Sequence, residues 1–130
     1  MSDRLEINMS EKLKMVPGVL ILIGDTTVSG PVKGVFQLME SLKGVLGKYI
    51  LVNCQTTRAD SDELLAEAAS REIDIRTVVH SPRSYFSLVR EVEQLCLNHD
   101  VDIIQTHGYK QSFVGLMVKI MKGVKWVCFL

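Results

Sequence analysis

The sequence predicts an α/β domain with a Rossmann-like, three-layer α/β/α fold and a parallel sheet of about five strands. Two observations support this fold class. Short, continuous aliphatic runs, typical of parallel strands covered on both faces, alternate along the chain with longer segments of helical periodicity. The length of 130 residues fits a single domain with its own hydrophobic core.

The first two predicted strands flank one amphipathic helix. Val19–Ile23 is continuously aliphatic and is the first predicted strand, and Lys48–Cys54 is the second. Between them, "DTTVSGPVKG" supplies turn residues, and Pro31 suits the first turn of a helix because a backbone N–H is not needed there. The apolar residues predicted to form one helix face are Val35, Leu38, Met39, Leu42 and Leu46.

A second helix, the third strand and a long third helix follow. Ser61 is a candidate N-cap for the short second helix, whose apolar residues are Leu64, Leu65 and Ala68. Ile73–Val79 begins with alternating apolar and polar residues, which is typical of a half-exposed edge strand. "SPRS" then breaks the chain, and the next helix presents one apolar face made of Tyr85, Leu88, Val89, Val92, Leu95 and Cys96.

The last third of the chain repeats the same alternation. Val101–Gln105 is the predicted fourth strand, Phe113 to Met121 lies in the fourth helix, and Val124–Leu130 is the fifth strand. Strands that alternate with helices imply right-handed crossovers. We therefore expect a parallel sheet with helices on both faces and the strand order 3-2-1-4-5.

Charge and apolar length argue against two classes of partner. The 15 basic and 15 acidic side chains cancel and are scattered, so we expect no nucleic-acid partner. The stretch "VPGVLILIG" is too short to cross a bilayer and is interpreted as strand one. Residues 1–15 are predicted to be a flexible leader, and 16–130 to be the domain.

The three cysteines lie far apart in apolar runs and lack the spacing of zinc ligands. We therefore expect Cys54, Cys96 and Cys128 to be buried thiols of a cytoplasmic protein, and we expect no metal site.

The predicted strand order places a ligand crevice at one point of the sheet. Ligands of such sheets bind beyond the carboxyl ends of the strands where the winding direction reverses, here between strands one and four. The polar segment "DTTVSG" follows strand one, and "THGYK" follows strand four. The two segments are therefore expected to face each other across one crevice.

The glycine-rich segment does not match the common phosphate-binding motifs. Thr26 occupies the position of the second glycine in a dinucleotide fingerprint, strand two ends near Asn53 without an acidic ribose ligand, and no Walker A motif is present. What remains is a turn at Ser29 and Gly30 that opens a helix, with Lys33 in the first turn, which together favour an anion. Alternatively, this turn only caps the helix and Lys33 points to water.

The segment after strand four offers polar groups of several kinds. His107 is a candidate general base, a hydrogen-bond donor to a ligand, or a satisfied polar group at a strand end. Gly108 permits a tight turn, and Tyr109 and Lys110 add a planar donor and a cation. His80, with Arg83, is interpreted as a surface group away from the crevice.

Two segments resemble family 4 glycosyltransferases, which are retaining enzymes of the GT-B fold. "SGPVKGVFQLMESL" is similar to the glycine-rich turn and following helix of their N-terminal half. "VDIIQTHGYKQSFVGLMVKIMKGVKWVCFL" is similar to their fourth strand with its His-Gly turn, the next helix and the fifth strand. The chain departs from the family pattern at Ser29, where the family has glycine, and at Val32, where it has an acidic residue.

The resemblance implies that the chain is the acceptor-side half of a glycosyltransferase, inactive alone. Ser29, Gly30, Lys33, His107, Gly108, Tyr109 and Lys110 would bind substrate, and no catalytic residue is assigned. The complete protein would use a nucleotide-diphosphate sugar held by an absent C-terminal domain, with a sugar or lipid-linked acceptor, in the cytoplasm or peripheral to the membrane. This chain would carry no cofactor of its own.

A second interpretation is a non-catalytic doubly wound binding or assembly module. The segment "VKWVCFL" is apolar at nearly every position, although a fifth strand at the end of the predicted order would be an edge. We therefore expect self-association through the edge of strand 124–130.

Overall fold

The structure is a computed structural model that describes residues 18–24, 30–42, 48–56 and 62–129. The predicted leader, Ser29, Leu46, Ser61 and Leu130 lie outside these residues. The elements, in chain order, are β1 (Gly18–Ile23), α1 (Gly30–Leu42), β2 (Lys48–Gln55), α2 (Asp62–Ser70), β3 (Ile75–Val79), α3 (Phe86–Asn98), β4 (Val101–His107), α4 (Tyr109–Lys122) and β5 (Lys125–Phe129).

The described strands form one parallel sheet of five strands in the order β3-β2-β1-β4-β5. This confirms the predicted α/β/α fold and strand order. β1 lies in the centre and is buried at all six of its positions, because strands pair with both of its edges and helices cover both of its faces. Its continuous aliphatic sequence is the consequence of that position.

Two hydrophobic cores lie on opposite faces of the sheet. On one face, α3 and α4 pack on the sheet through a cluster that includes Leu22, Leu88, Val92, Ile104 and Val118. On the other face, α1 and α2 pack through a cluster that includes Ile21, Phe36, Met39, Leu51 and Leu64.

The apolar face of α1 differs from the prediction. Leu38 is 40% exposed, whereas Val32 and Phe36 are 1% and 0% exposed. The buried residues Val32, Val35, Phe36 and Met39 follow the spacing i, i+3, i+4, i+7 of a single helix face, which leaves Leu38 outside it.

α4 contains Phe113 to Met121, as predicted, and begins at Tyr109, directly after Gly108. Gly108 has φ of 102°, a value that L side chains rarely adopt, so the chain passes from strand to helix through one glycine. Tyr109 and Lys110 therefore lie in the first helical turn and not in a loop.

The expectation of three buried cysteines is wrong for one of them. Cys54 and Cys96 are buried, but Cys128 is exposed. Cys128 lies on β5, the edge strand, where Val127 and Phe129 are also 45% and 50% exposed. Cys128 faces α4, where its Sγ lies 3.0 Å from Oγ of Ser112, whereas Val127 and Phe129 lie on the opposite face, beyond the core that extends to Ile103 of β4.

Candidate functional site

The first turn of α4 is hydrogen-bonded to the carboxyl ends of the strands, which we call the carboxyl edge. Lys110 reaches β2 and β3, because its Nζ lies 3.2 Å from the main-chain oxygen of Cys54 and 3.2 Å from Nε2 of His80. Since β1 lies between β2 and β4 in the sheet, the lysine side chain extends past the end of the central strand.

Gln111 joins the ends of β1 and β4. In the amide orientation that satisfies both neighbours, its Nε2 donates to the His107 carbonyl at 2.9 Å and its Oε1 accepts from the Gly24 N–H at 3.3 Å. Gly108 adds β5, because its N–H donates to the Phe129 carbonyl at 2.9 Å. The side chains of Lys110 and Gln111 and the backbone of Gly108 therefore contact, between them, the carboxyl ends of the five described strands.

Gly24 is required by this arrangement. A Cβ atom at position 24 would overlap the side-chain amide of Gln111. A side chain at position 24 would therefore displace the Gln111 amide from the ends of β1 and β4.

His80 is not the surface group that the sequence suggested. It is 5% exposed, and its main-chain N–H donates to the Gln55 carbonyl at 2.9 Å. An ammonium group only donates hydrogen bonds, so Nε2 of His80 accepts from Lys110. The ring proton is then on Nδ1, which donates to the Ser81 carbonyl at 3.0 Å, and His80 is the neutral tautomer.

His107, the last residue of β4, lies beside β5 at the carboxyl edge. Its ring is stacked on Phe129, with centroids 4.9 Å apart and an interplanar angle of 7°, and its Nε2 lies 2.8 Å from Nε2 of Gln105. Tyr109 is 81% exposed at the start of α4, so its phenol is open to solvent beside the edge.

The remaining predicted residues lie at the start of α1. Gly30 is its first residue and Lys33 is exposed, whereas Ser29 lies outside the described residues. Between described residues, hydrogen bonds link His107, Gly108 and Lys110 to one edge through α4, and they do not extend to Gly30 or Lys33.

Sequence reasoning missed Gln111, His80 and Gly24. A signal for Gln111 exists, because positions 111, 114, 115 and 118 share the buried face of α4 and only Gln111 among them is polar. No comparable signal marks His80, since its hydrogen-bond partner Lys110 is 30 residues away in sequence.

Away from the carboxyl edge, the described residues form a cleft but no group of metal ligands. A cleft of about 410 Å³ opens at the amino ends of the strands, lined by Tyr49, His99 and neighbours, on the side of the sheet that is opposite to the usual ligand edge. Within the described ranges, no three His, Cys, Asp or Glu side chains are grouped as metal ligands would be, and no helix has the length and apolarity to cross a membrane.

The strand order defines a Rossmann-like α/β domain with a polar carboxyl edge. The chain is similar in fold to a solved glycosyltransferase from Rickettsia africae ESF-5, with a TM-score of 0.64 and 16% sequence identity. The similarity covers 86% of this chain and 29% of that chain. No protein-family model and no curated protein matches the sequence. The domain therefore has a glycosyltransferase-like fold.

Proposed function

We propose that this chain forms the acceptor-side part of a glycosyltransferase that transfers a sugar from a nucleotide-diphosphate donor and retains its anomeric configuration. The observation that carries the proposal is the polar first turn of α4 at the carboxyl edge, in a fold that resembles a glycosyltransferase over 86% of the chain. Ligands of parallel α/β sheets bind at this edge.

The polar groups at the edge suit a carbohydrate. Tyr109 offers a phenol and an aromatic surface, His107 offers an imidazole beside Gln105, and Lys110 offers a cation. Such groups hydrogen-bond hydroxyl and phosphate oxygens. In this proposal they orient the acceptor, while a nucleotide-sugar domain that is not in this chain supplies the donor. The chain alone is then inactive.

Ligand-observed NMR with the 130-residue chain tests this assignment. Saturation transfer is measured for free hexoses, hexose phosphates and nucleoside diphosphates. We expect signals from the sugars and sugar phosphates, and a loss of at least half of the signal in Tyr109→Ala and His107→Ala. His99→Ala is the matched control, because His99 is also half-buried but lies at the amino ends of the strands.

The other outcomes are equally informative. Binding of nucleoside diphosphates without sugars would contradict the acceptor-side assignment. Sugar transfer by this chain alone, detected by chromatography of the products, would contradict the claim that the chain is inactive. In a longer protein that contains a donor domain, inversion at the anomeric carbon, read from the proton coupling of the product, would overturn the retaining mechanism.

A second candidate is a non-catalytic binding or assembly module. The observation that favours it is the exposed apolar surface of β5, where Val127 and Phe129 are 45% and 50% exposed. If the sugars do not bind but the chain associates through β5, the module is the better description.

A further inference from the structure

Lys110 carries a positive charge that its described neighbours do not neutralise. Its two hydrogen-bond partners are the neutral tautomer of His80 and the main-chain carbonyl of Cys54. Within the described part of the chain, ion pairs are formed by Arg71 and Lys122 and not by Lys110. A partly buried ammonium without a counter-ion is costly, and an anionic ligand would reduce that cost.

His80 holds the ammonium in one place. Its ring is fixed by the Nδ1 hydrogen bond to Ser81 at 3.0 Å and by an edge contact with Tyr85, whose ring centroid is 5.6 Å away. Side chains that are ordered before binding lose less entropy when a ligand binds. His80 is therefore a positioning residue for Lys110 and does not need to touch the ligand.

The start of α4 adds to the positive potential. Lys110 is the second residue of the helix, the first turn contains no acidic side chain, and the N-cap residue is Gly108, which has no side chain to cap the helix. The partial positive charge of a helix N-terminus then acts in the same direction as the ammonium. Two of the three N–H groups of Lys110 are used internally, which leaves the third for a ligand.

We propose that Lys110 and His80 form a phosphate-binding site, with Lys110 as the contact and His80 as the positioning residue. Together with the proposed function, this predicts an acceptor that carries a phosphoryl group. The prediction that the phosphate belongs to an acceptor rests on the proposed function, whereas phosphate binding at this edge does not.

Titration of the ¹⁵N-labelled chain with inorganic phosphate tests the site. We expect chemical-shift changes in the His80 ring and the first turn of α4, and a loss of affinity of roughly tenfold in Lys110→Met, the value of one charge-assisted hydrogen bond. Lys119→Met is the control, because Lys119 lies on the same helix but in its last turn. Its affinity is expected to equal that of the wild type.

Two substitutions of His80 test the positioning role. His80→Phe keeps a ring against Tyr85 but removes the acceptor for Lys110, so phosphate affinity should fall several-fold. His80→Gln restores an acceptor oxygen and should recover part of that loss, which a purely structural role of the ring would not predict. Thermal unfolding of each variant shows whether the fold is retained, and the Gln variant keeps the test valid if the Phe variant unfolds.

The outcomes separate this site from the proposed function. Equal losses in Lys110→Met and Lys119→Met would show nonspecific electrostatics and overturn the site, as would a wild-type chain that does not bind phosphate at low ionic strength. Neutral sugars could still bind in that case, which would leave the proposed function intact. Phosphate binding without any sugar binding would support the site and contradict the proposed function.

Discussion

Gly115 of α4 lies directly against the indole of Trp126 on β5. A Cβ atom at position 115 would be 2.6 Å from Nε1 of Trp126 and 2.7 Å from Cγ2 of Thr106. The indole Nε1 in turn donates to Oγ1 of Thr106 at 2.9 Å. Because the helix backbone approaches the sheet so closely here, β4, β5 and α4 are held together at one point.

Gly115→Ala is therefore expected to destabilise the domain, although alanine is the better helix former. The added methyl group must displace the indole or break its hydrogen bond, which costs about 1–3 kcal/mol of unfolding free energy. Gly34→Ala is the matched control, since Gly34 is also helical but has no atom within 4 Å of the added Cβ. That variant should gain up to about 1 kcal/mol. Urea unfolding measures both, and a neutral Gly115→Ala would contradict the close packing.

Two threonines, Thr77 on β3 and Thr106 on β4, should respond oppositely to valine. The Oγ1 of Thr77 is buried without a hydrogen-bond partner, so Thr77→Val removes an unsatisfied group and should stabilise the domain by about 1 kcal/mol. Thr106→Val removes the acceptor of Trp126 and the partner of Ser112, so it should destabilise by about 1–3 kcal/mol. Chemical unfolding compares the pair, and a loss of stability in Thr77→Val would show that its hydroxyl is hydrogen-bonded.

The buried cysteines predict a loss of stability at alkaline pH. Burial raises the pKa of Cys54 from 9.0 to about 12, against a smaller opposing effect of the Lys110 charge. The thiol stays protonated in the folded state while the unfolded state loses its proton above its pKa of 9.0, so unfolding becomes easier as the pH rises from 9.0 toward about 12. One such group changes stability by up to about 1.4 kcal/mol per pH unit.

Urea unfolding at pH 8 and at higher pH measures this dependence. Cys54→Ala should weaken the decline, whereas Cys128→Ala should leave it unchanged because Cys128 is exposed. Burial also raises the pKa of Cys96 to about 11, with Glu93 as a second cause, so part of the slope remains in Cys54→Ala. Identical slopes in all three proteins would contradict the role of Cys54.

We propose that the chain self-associates through β5, and one pair of valines tests this. Val127 on β5 and Val79 on β3 lie on opposite edge strands and are 45% and 39% exposed. A lysine on an edge strand opposes pairing with another chain. Val127→Lys should weaken association by roughly tenfold, equal to about 1.4 kcal/mol, while Val79→Lys should not change it. Analytical ultracentrifugation measures the constants, and a monomeric wild type at high micromolar concentration would contradict the proposal.

The sequence alone determined the fold class and the order of the strands. β1 is an uninterrupted aliphatic run because both of its faces and both of its edges are covered. Asp74, directly before β3, and Arg76, within it, are exposed charged residues at an edge of the sheet. These patterns are local consequences of burial, so each can be read from a few neighbouring residues. The position of "THGYK" after a central strand also followed from this order.

The tertiary structure decided which of the polar residues meet. Lys110 hydrogen-bonds to His80 and to the Cys54 carbonyl, which are 30 and 56 residues away in sequence. Gln111 hydrogen-bonds to the ends of β1 and β4. His80 has no local pattern that indicates its hydrogen bond to Lys110, because that partner comes from another part of the chain. Contacts between distant segments depend on how helices pack across the sheet, and no short-range periodicity records that packing.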